Sequence, residues 1–492
     1  MQIERDSQSR FIESEAPKHE CGVFGVYAPG QEVARLSFWG LTNLQHRGQE
    51  SAGIATLSEG GIDVEKRMGL LREGFREEDI KSLLGYAAIG QTRYSNTGGS
   101  NIANAQPMAY KDIAIAQNGN LINSLELRSA LIKKGIYPSV TDGISCSSDG
   151  EIIAQVIATS EGKNIIGKIQ TASREMLGAY SLTILAEESL IAVKDPHGFW
   201  PLCIGKLNGI GYVIASESAA LDIIKAQYVR EIEPGEIVQI NQDGIKSFKL
   251  AIEARRTECA FDITYFRAPD SLITPDIYVY QFRKELGRQL ARDFPVEADM
   301  VIGEKDSGTF SAHGFAEESG IPFNEGSIKN PYSKRVFINP DERIRDMEVL
   351  LKHRILKPEI EGKRIILTTD SIVRSHTSKG VIATLRGAGA KEIHMRVTFP
   401  PVTDPCFVGI DMESRGHLIA ADKTVEQIRI HIGADSLAYL SPESFEKAMQ
   451  RALQTKRTLD TFCTACFTGD YPIPVPEKRD KFELEQDLIK VV

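Results

Sequence analysis

The chain has no uninterrupted apolar run of about 18 residues, so nothing in it reads as a transmembrane span. Its first twenty residues, MQIERDSQSRFIESEAPKHE, lack an apolar stretch and do not read as a secretory signal. Positive charge is in deficit. Lys and Arg number 58 against 67 Asp and Glu, and the net charge of −9 argues against a generic nucleic-acid or anionic-membrane surface. Cysteine is sparse, with 7 in 492 residues, too few and too dispersed for a disulfide scaffold. Internal repeats and low-complexity segments are missing as well. What remains is the expectation of a soluble protein in a reducing, cytoplasmic setting, long enough for two or three domains.

The patterning changes along the chain. Residues 1–20 are polar and acidic, with little to pack, and read as a mobile arm or removable leader. From Cys21 to about Ala254, short β-type runs (Val23–Tyr27, Tyr86–Gly90, Ile113–Ala116, Ser181–Ala186, Leu190–Val193, Gly211–Ala215) alternate with helical stretches such as Gly150–Thr159. Turn chemistry at Thr97-Gly98-Gly99, Asn118-Gly119-Asn120 and Pro234-Gly235 punctuates them. In the second half, Met300–Ile302, Arg364–Thr368 and Glu392–Thr398 are strands separated by polar loops and helices, the spacing of βαβ units in an open parallel sheet. Ligands of such sheets sit at the carboxyl ends of the strands, near the next helix N-terminus. The predicted divisions are 1–20, 21–254, 255–472 and a tail, 473–492.

Cys21 opens the first folded segment. A thiol is a weak nucleophile at neutral pH unless a base or a lowered pKa activates it. Removal of the leader would give Cys21 a free α-amine, with a pKa of about 7.7–8.0, able to serve as that base. Taken alone, a lone cysteine is as readily a small buried apolar residue.

Four segments follow Cys21 in order: Gln45-His46-Arg47-Gly48-Gln49-Glu50, Arg93-Tyr94-Ser95, Gln117-Asn118-Gly119-Asn120-Leu121 and Ser147-Ser148-Asp149. Together they resemble the class II glutamine amidotransferases, which hydrolyse the side-chain amide of glutamine and pass on the ammonia. The resemblance implies an N-terminal-nucleophile hydrolase αββα sandwich, with Cys21 as nucleophile and its amine as base. It further implies that Arg93 and Asp149 hold the glutamine α-carboxylate and α-amino group. Asn118 and the Gly119 N–H would form the oxyanion hole. His46 is then expected to be structural.

A second set of segments carries the remaining resemblance: Cys259 ahead of Tyr265-Phe266-Arg267-Ala268-Pro269-Asp270-Ser271, then Asp404-Pro405-Cys406, then Cys463-Thr464-Ala465-Cys466. They resemble the [4Fe–4S]-bearing branch of the glutamine phosphoribosylpyrophosphate amidotransferases. That likeness implies that Cys259, Cys406, Cys463 and Cys466 ligate a structural cluster, four thiolates being the usual complement. Zinc held by the same thiolates is the alternative. It also implies a propeptide removed before Cys21, a homotetramer, and a type I phosphoribosyltransferase-like parallel-sheet α/β domain.

The acceptor motifs depart from that family. V-D-D-S-I-V-R-G-T-T-S is replaced by Thr368-Thr369-Asp370-Ser371-Ile372-Val373-Arg374-Ser375-His376-Thr377-Ser378, losing one carboxylate and the loop glycine. V-P-D-S-G is Glu304-Lys305-Asp306-Ser307-Gly308, and the lid at Lys329–Phe337 gains Pro331 and loses an arginine. A downstream V-R-x-K-L pattern is Val349-Leu350-Leu351-Lys352-His353, and G-L-R-P-L has become Gly198-Phe199-Trp200-Pro201-Leu202. Asp306, Ser307, Arg335, Asp370, Ser371, Thr377 and Ser378 still match as binders of a phosphorylated or sugar-like acceptor, with Mg²⁺ near Ser307 and Asp370 if that acceptor is pyrophosphorylated. The expectation is an amidotransferase with a changed acceptor. The alternatives are the ordinary phosphoribosylamine-forming enzyme and a non-enzymatic ligand or oxygen sensor.

Overall fold

A computed structural model describes residues 21–329, 353–412, 414–477 and 480–486. The leader at 1–20 and the lid residues 330–337, with Pro331 and Arg335, lie outside the described residues, as do 349–352.

The first half is built from two sheets. In a seven-stranded sheet, the strand Gly22–Tyr27 is central, paired antiparallel with Ala87–Arg93 on one side and Gly211–Ala215 on the other. In a six-stranded sheet, Ile113–Leu121 and Gly178–Ala186 are neighbours, paired antiparallel. The facing surfaces are closed by small and branched residues, among them Val23, Ala55, Ile89, Ala114, Ala116, Leu190 and Ala192. Interleaved alanines let the sheets approach closely. Helix Val33–Asn43 covers the outer face of the first sheet, and Asp149–Thr159 with Ile165–Ala172 covers that of the second. The layers are therefore α, β, β, α, as expected from the sequence.

One expectation changes. The turn chemistry read at Asn118-Gly119-Asn120 lies inside the strand Ile113–Leu121, paired residue for residue with Ala179–Ser181. Its polar residues are buried, which hides the strand from a hydrophobic count. Gly119 has φ +140, and a Cβ there would stand 2.1 Å from the Ala179 carbonyl oxygen, so only glycine fits.

The second half is organised by a four-stranded parallel sheet in the order Met300–Gly303, Arg364–Thr369, Glu392–Val397, Ser436–Tyr439. Alternate residues go to opposite faces. Val301 and Ile366 join Phe282, Leu286, Phe315 and Phe399 on one side. Met300, Ile302, Ile365 and Leu367 join Leu385, Met395 and Ile432 on the other. A sheet buried on both faces reads as apolar runs rather than alternation, which is why these strands were legible. No described helix is long and apolar enough to cross a membrane.

Trp200 joins the halves. It is wholly buried, and its indole N–H donates to the Val408 carbonyl at 2.9 Å. It belongs to the core that also contains Cys259, Phe261 and Cys406. Replacing it removes a large side chain and a buried donor together. Trp200→Ala is expected to lose about 3–5 kcal/mol, read as a lowered denaturant midpoint; a midpoint equal to the parent's would contradict this packing role.

Candidate active site

Cys21 is buried at the start of the central strand, and its thiol lies 3.4 Å from the Tyr94 carbonyl oxygen. Burial pushes the thiol up to about 12, with Asp149 and Glu50 adding to the rise and Arg93 and Arg47 opposing it. Such a thiol does not ionise unaided near neutrality, so the site needs a base. The backbone of Cys21 is fixed by Arg47, whose Nε donates to the Cys21 carbonyl at 3.2 Å. Arg47 is itself buried between Glu217 and Asp262, at 3.1 Å from the latter. Glu217 also accepts from His46 Nε2 at 3.0 Å, from the Ala268 N–H at 2.8 Å and from the Ser271 hydroxyl at 2.8 Å. Burial raises the Glu217 pKa, but the neighbouring His46 and Arg47 and these hydrogen bonds outweigh it and hold the carboxylate well below its ordinary range.

The strand Ile113–Leu121 faces Gly22–Tyr27 across the sandwich and brings Asn118 and Gly119 to the same level. Both side-chain amide atoms of Asn118 are buried and make no hydrogen bond among the described residues. A buried amide left without a partner costs about 1–3 kcal/mol, a cost that a substrate oxygen would relieve. Arg93 sits at the end of its strand with its guanidinium folded into the following loop. It donates to the Ser95 hydroxyl at 2.7 Å, the Thr97 carbonyl at 2.8 Å and the Gly99 carbonyl at 3.3 Å. Asp149 occupies the first turn of the helix Asp149–Thr159, behind its Ser148 cap, and accepts from Gln117 Nε2 at 2.9 Å and from the Leu121 N–H at 3.0 Å. Cys21, Arg93, Asn118, Gly119 and Asp149 all come from segments that meet at this end of the sandwich.

The acceptor residues lie at the carboxyl ends of two adjacent parallel strands. The loop 304–308 follows Met300–Gly303, and 370–375 follows Arg364–Thr369. The loops touch: a Cβ at Gly308 would stand 2.2 Å from the Thr368 carbonyl. Asp370 is buried. Burial raises its pKa, opposed by hydrogen bonds from Ser307 and Ser371 and by the nearby Arg283. Asp306 pairs with Lys329. Ser375 takes the left-handed conformation, φ +74, just before the helix His376–Gly387, whose first turn carries Thr377 and Ser378. Serine thus keeps the backbone path that a glycine would take, at a cost of about 1–2 kcal/mol. The conflict expected at this position is met by the residue adopting the strained conformation. Arg335 is outside the described residues.

The four second-half cysteines are buried. Cys259 lies opposite Cys463 in a two-residue parallel pair. Cys466 and Cys406 are near enough to Cys463 to raise one another's pKa beyond the effect of burial. Among the described residues, no group of three or more metal-ligating side chains is gathered as if around one ion.

Sequence reasoning assigned no role to several residues that shape this region. Glu50 accepts from the Ser95 N–H at 3.0 Å. Asn96 donates to the Gly119 carbonyl at 2.8 Å, and Asn120 to the Phe407 carbonyl at 3.0 Å, so the segment after Cys406 braces the Asn118 strand. Glu217 and Asp262 carried no signal, since single acids far apart in sequence reveal nothing of a shared partner. The tail was left without function, although Leu484 between acidic neighbours hints at an anchored segment.

Comparison with known proteins places this geometry. The glutamine amidotransferase domain family matches residues 95–223. An amidophosphoribosyltransferase of Synechococcus elongatus is 45% identical, covering 95% of each chain. That of Archaeoglobus fulgidus is 43% identical, over 93% of this chain and 98% of its own. Among solved structures, the Bacillus subtilis glutamine phosphoribosylpyrophosphate amidotransferase complexed with ADP and GMP superposes with a TM-score of 0.85 at 38% identity. That match covers 93% of this chain and 98% of the other. Fold, order of elements and identity along nearly the whole length agree: this chain belongs to the amidophosphoribosyltransferases, class II glutamine amidotransferases that are also pentosyltransferases.

Proposed function

We propose that the protein hydrolyses glutamine at Cys21 and delivers the ammonia to C1 of phosphoribosylpyrophosphate, releasing pyrophosphate and forming 5-phosphoribosylamine for purine synthesis. The observation that carries this reading is the acceptor loop, whose Ser375 keeps a left-handed turn at a helix N-terminus, a cradle suited to a phosphate. The relatives favour this ordinary reaction over the changed acceptor expected from the sequence.

In the glutamine half, the leader is removed so that the α-amine of Cys21 becomes free. The amine takes the thiol proton as Sγ attacks the glutamine Cδ, and Asn118 Nδ2 with the Gly119 N–H receive the oxyanion. Collapse breaks the Cδ–N bond, the proton passes to nitrogen and ammonia leaves. Water then hydrolyses the thioester to glutamate. Arg93 and Asp149 hold the α-carboxylate and α-ammonium by charge-assisted bonds.

In the acceptor half, the 370–378 loop holds the 5′-phosphate through backbone N–H groups with Thr377 and Ser378. Asp306, Ser307 and Arg335 meet the pyrophosphate, and Asp370 with Ser371 meets the ribose. Asp370 and Ser307 would hold a Mg²⁺ ion, which would supply positive charge to offset that of the departing pyrophosphate. Cys259, Cys406, Cys463 and Cys466 are read as holders of a structural [4Fe–4S] cluster; four buried thiols from three segments support this, while their spacing among the described residues does not gather them around one ion. The protein is read as a cytoplasmic homotetramer. A second reading, a different sugar-phosphate acceptor, is favoured by one observation: buried Thr369 offers no carboxylate beside Asp370.

The test separates the two. With glutamine, Mg²⁺ and phosphoribosylpyrophosphate, pyrophosphate release should equal glutamate formation, and the pyrophosphorylated sugar should stimulate glutaminase turnover. Glutamate formation indifferent to it would favour the second reading. Independently, Asn118→Ala should lower the glutaminase kcat by about 10²–10³-fold, measured as glutamate formed; an unchanged kcat would remove Asn118 from the oxyanion hole.

A further inference from the structure

The C-terminal segment reaches back onto the glutamine site. Leu484 is wholly buried among the helices outside the six-stranded sheet. The Lys481 carbonyl accepts from the Gly98 N–H at 2.9 Å, while its ammonium, also buried, lies 3.3 Å from Asp411 of the second half. Glu485 then sits between the two segments that hold glutamine. Its Oε1 accepts from the Gly99 N–H at 2.7 Å, at the far end of the loop that Arg93 braces. The same oxygen accepts from the Ser147 hydroxyl at 3.3 Å, two residues before Asp149. Asn104 closes a ring, donating to the Gly99 carbonyl at 2.9 Å and to Ser147 Oγ at 2.8 Å.

We propose that Glu485 is a positioning residue for glutamine binding, a carboxylate brought in by the tail to fix the Arg93 loop and the Asp149 segment at one mutual distance. Glutamine is a short ligand held at its α-carbon by two opposite charges. If their separation drifts, binding weakens before chemistry does. Glu485 touches neither substrate nor nucleophile, and it acts through the Gly99 peptide and the Ser147 hydroxyl. The lysine beside Asp411 ties the same tail to the second half, so the strap also spans the two halves.

The inference rests on glutamine hydrolysis at Cys21, and the experiment distinguishes the two. Steady-state glutamine hydrolysis is measured for the full chain, Glu485→Ala and Glu485→Gln. Glu485→Ala should raise KM for glutamine about tenfold with kcat little changed, the scale of one charge-assisted hydrogen bond. Glu485→Gln, whose carbonyl still accepts from Gly99 and Ser147, should recover most of that loss. An unchanged KM in Glu485→Ala, or a fall in kcat alone with no recovery in Glu485→Gln, would overturn the proposal. Absence of hydrolysis by the parent would instead remove the glutaminase reading beneath it.

Discussion

A single buried guanidinium ties this molecule together. Arg47 is shut away from water between two carboxylates, Glu217 of the first half and Asp262 of the second, and its Nε holds the carbonyl of Cys21. The chain of charges continues: Arg267 donates to Asp262 at 2.8 Å, Arg283 donates to the Arg267 carbonyl at 2.7 Å, and Arg283 in turn influences Asp370. Burial brings the Arg283 pKa down to about 10, still high enough to keep its charge at neutral pH. Removing one charge from such a network in a dry interior costs about 3–5 kcal/mol. One chain of buried charges and hydrogen bonds thus runs from the Cys21 carbonyl to the neighbourhood of Asp370.

That arrangement explains how two unrelated layers can act as one catalyst. The sandwich supplies a thiol that cannot ionise by itself and an orphaned asparagine amide that awaits a charge. The parallel sheet supplies the 304–308 and 370–375 loops at its carboxyl edge. Between them lie Trp200, the 406–411 segment and the charged chain, and none of these belongs to one half alone. Asn96 and Asn120 reach across to Gly409 and Phe407, so the residues following Cys406 also support the strand that carries Asn118. Loss of order around Cys406 would be felt at Asn118.

Much of this was legible in the sequence, for identifiable reasons. The parallel strands read as apolar runs because both faces are covered. Cys21, Arg93, Asn118, Gly119 and Asp149 stood out because several short motifs occur in order. The strand character of Asn118–Asn120 did not, because its side chains are polar, buried and turn-forming in isolation. Glu217, Asp262 and Glu485 were invisible because the partners that join them to the site, Arg47, Gly99 and Ser147, lie far away in sequence. Departures in the acceptor motif suggested a new acceptor, yet Ser375 keeps the loop's left-handed turn. A motif records residue types, whereas a phosphate meets the backbone path, and the path can outlast the glycine.

The central claim is that nitrogen released at Cys21 passes within the protein to the acceptor loops. It is tested most directly by supplying glutamine labelled with ¹⁵N in its side-chain amide, together with excess unlabelled ammonium, and measuring the isotope in the aminated product by mass spectrometry. Internal transfer predicts a product that keeps the glutamine label undiluted. A product whose label has fallen to that of the surrounding ammonium would contradict it.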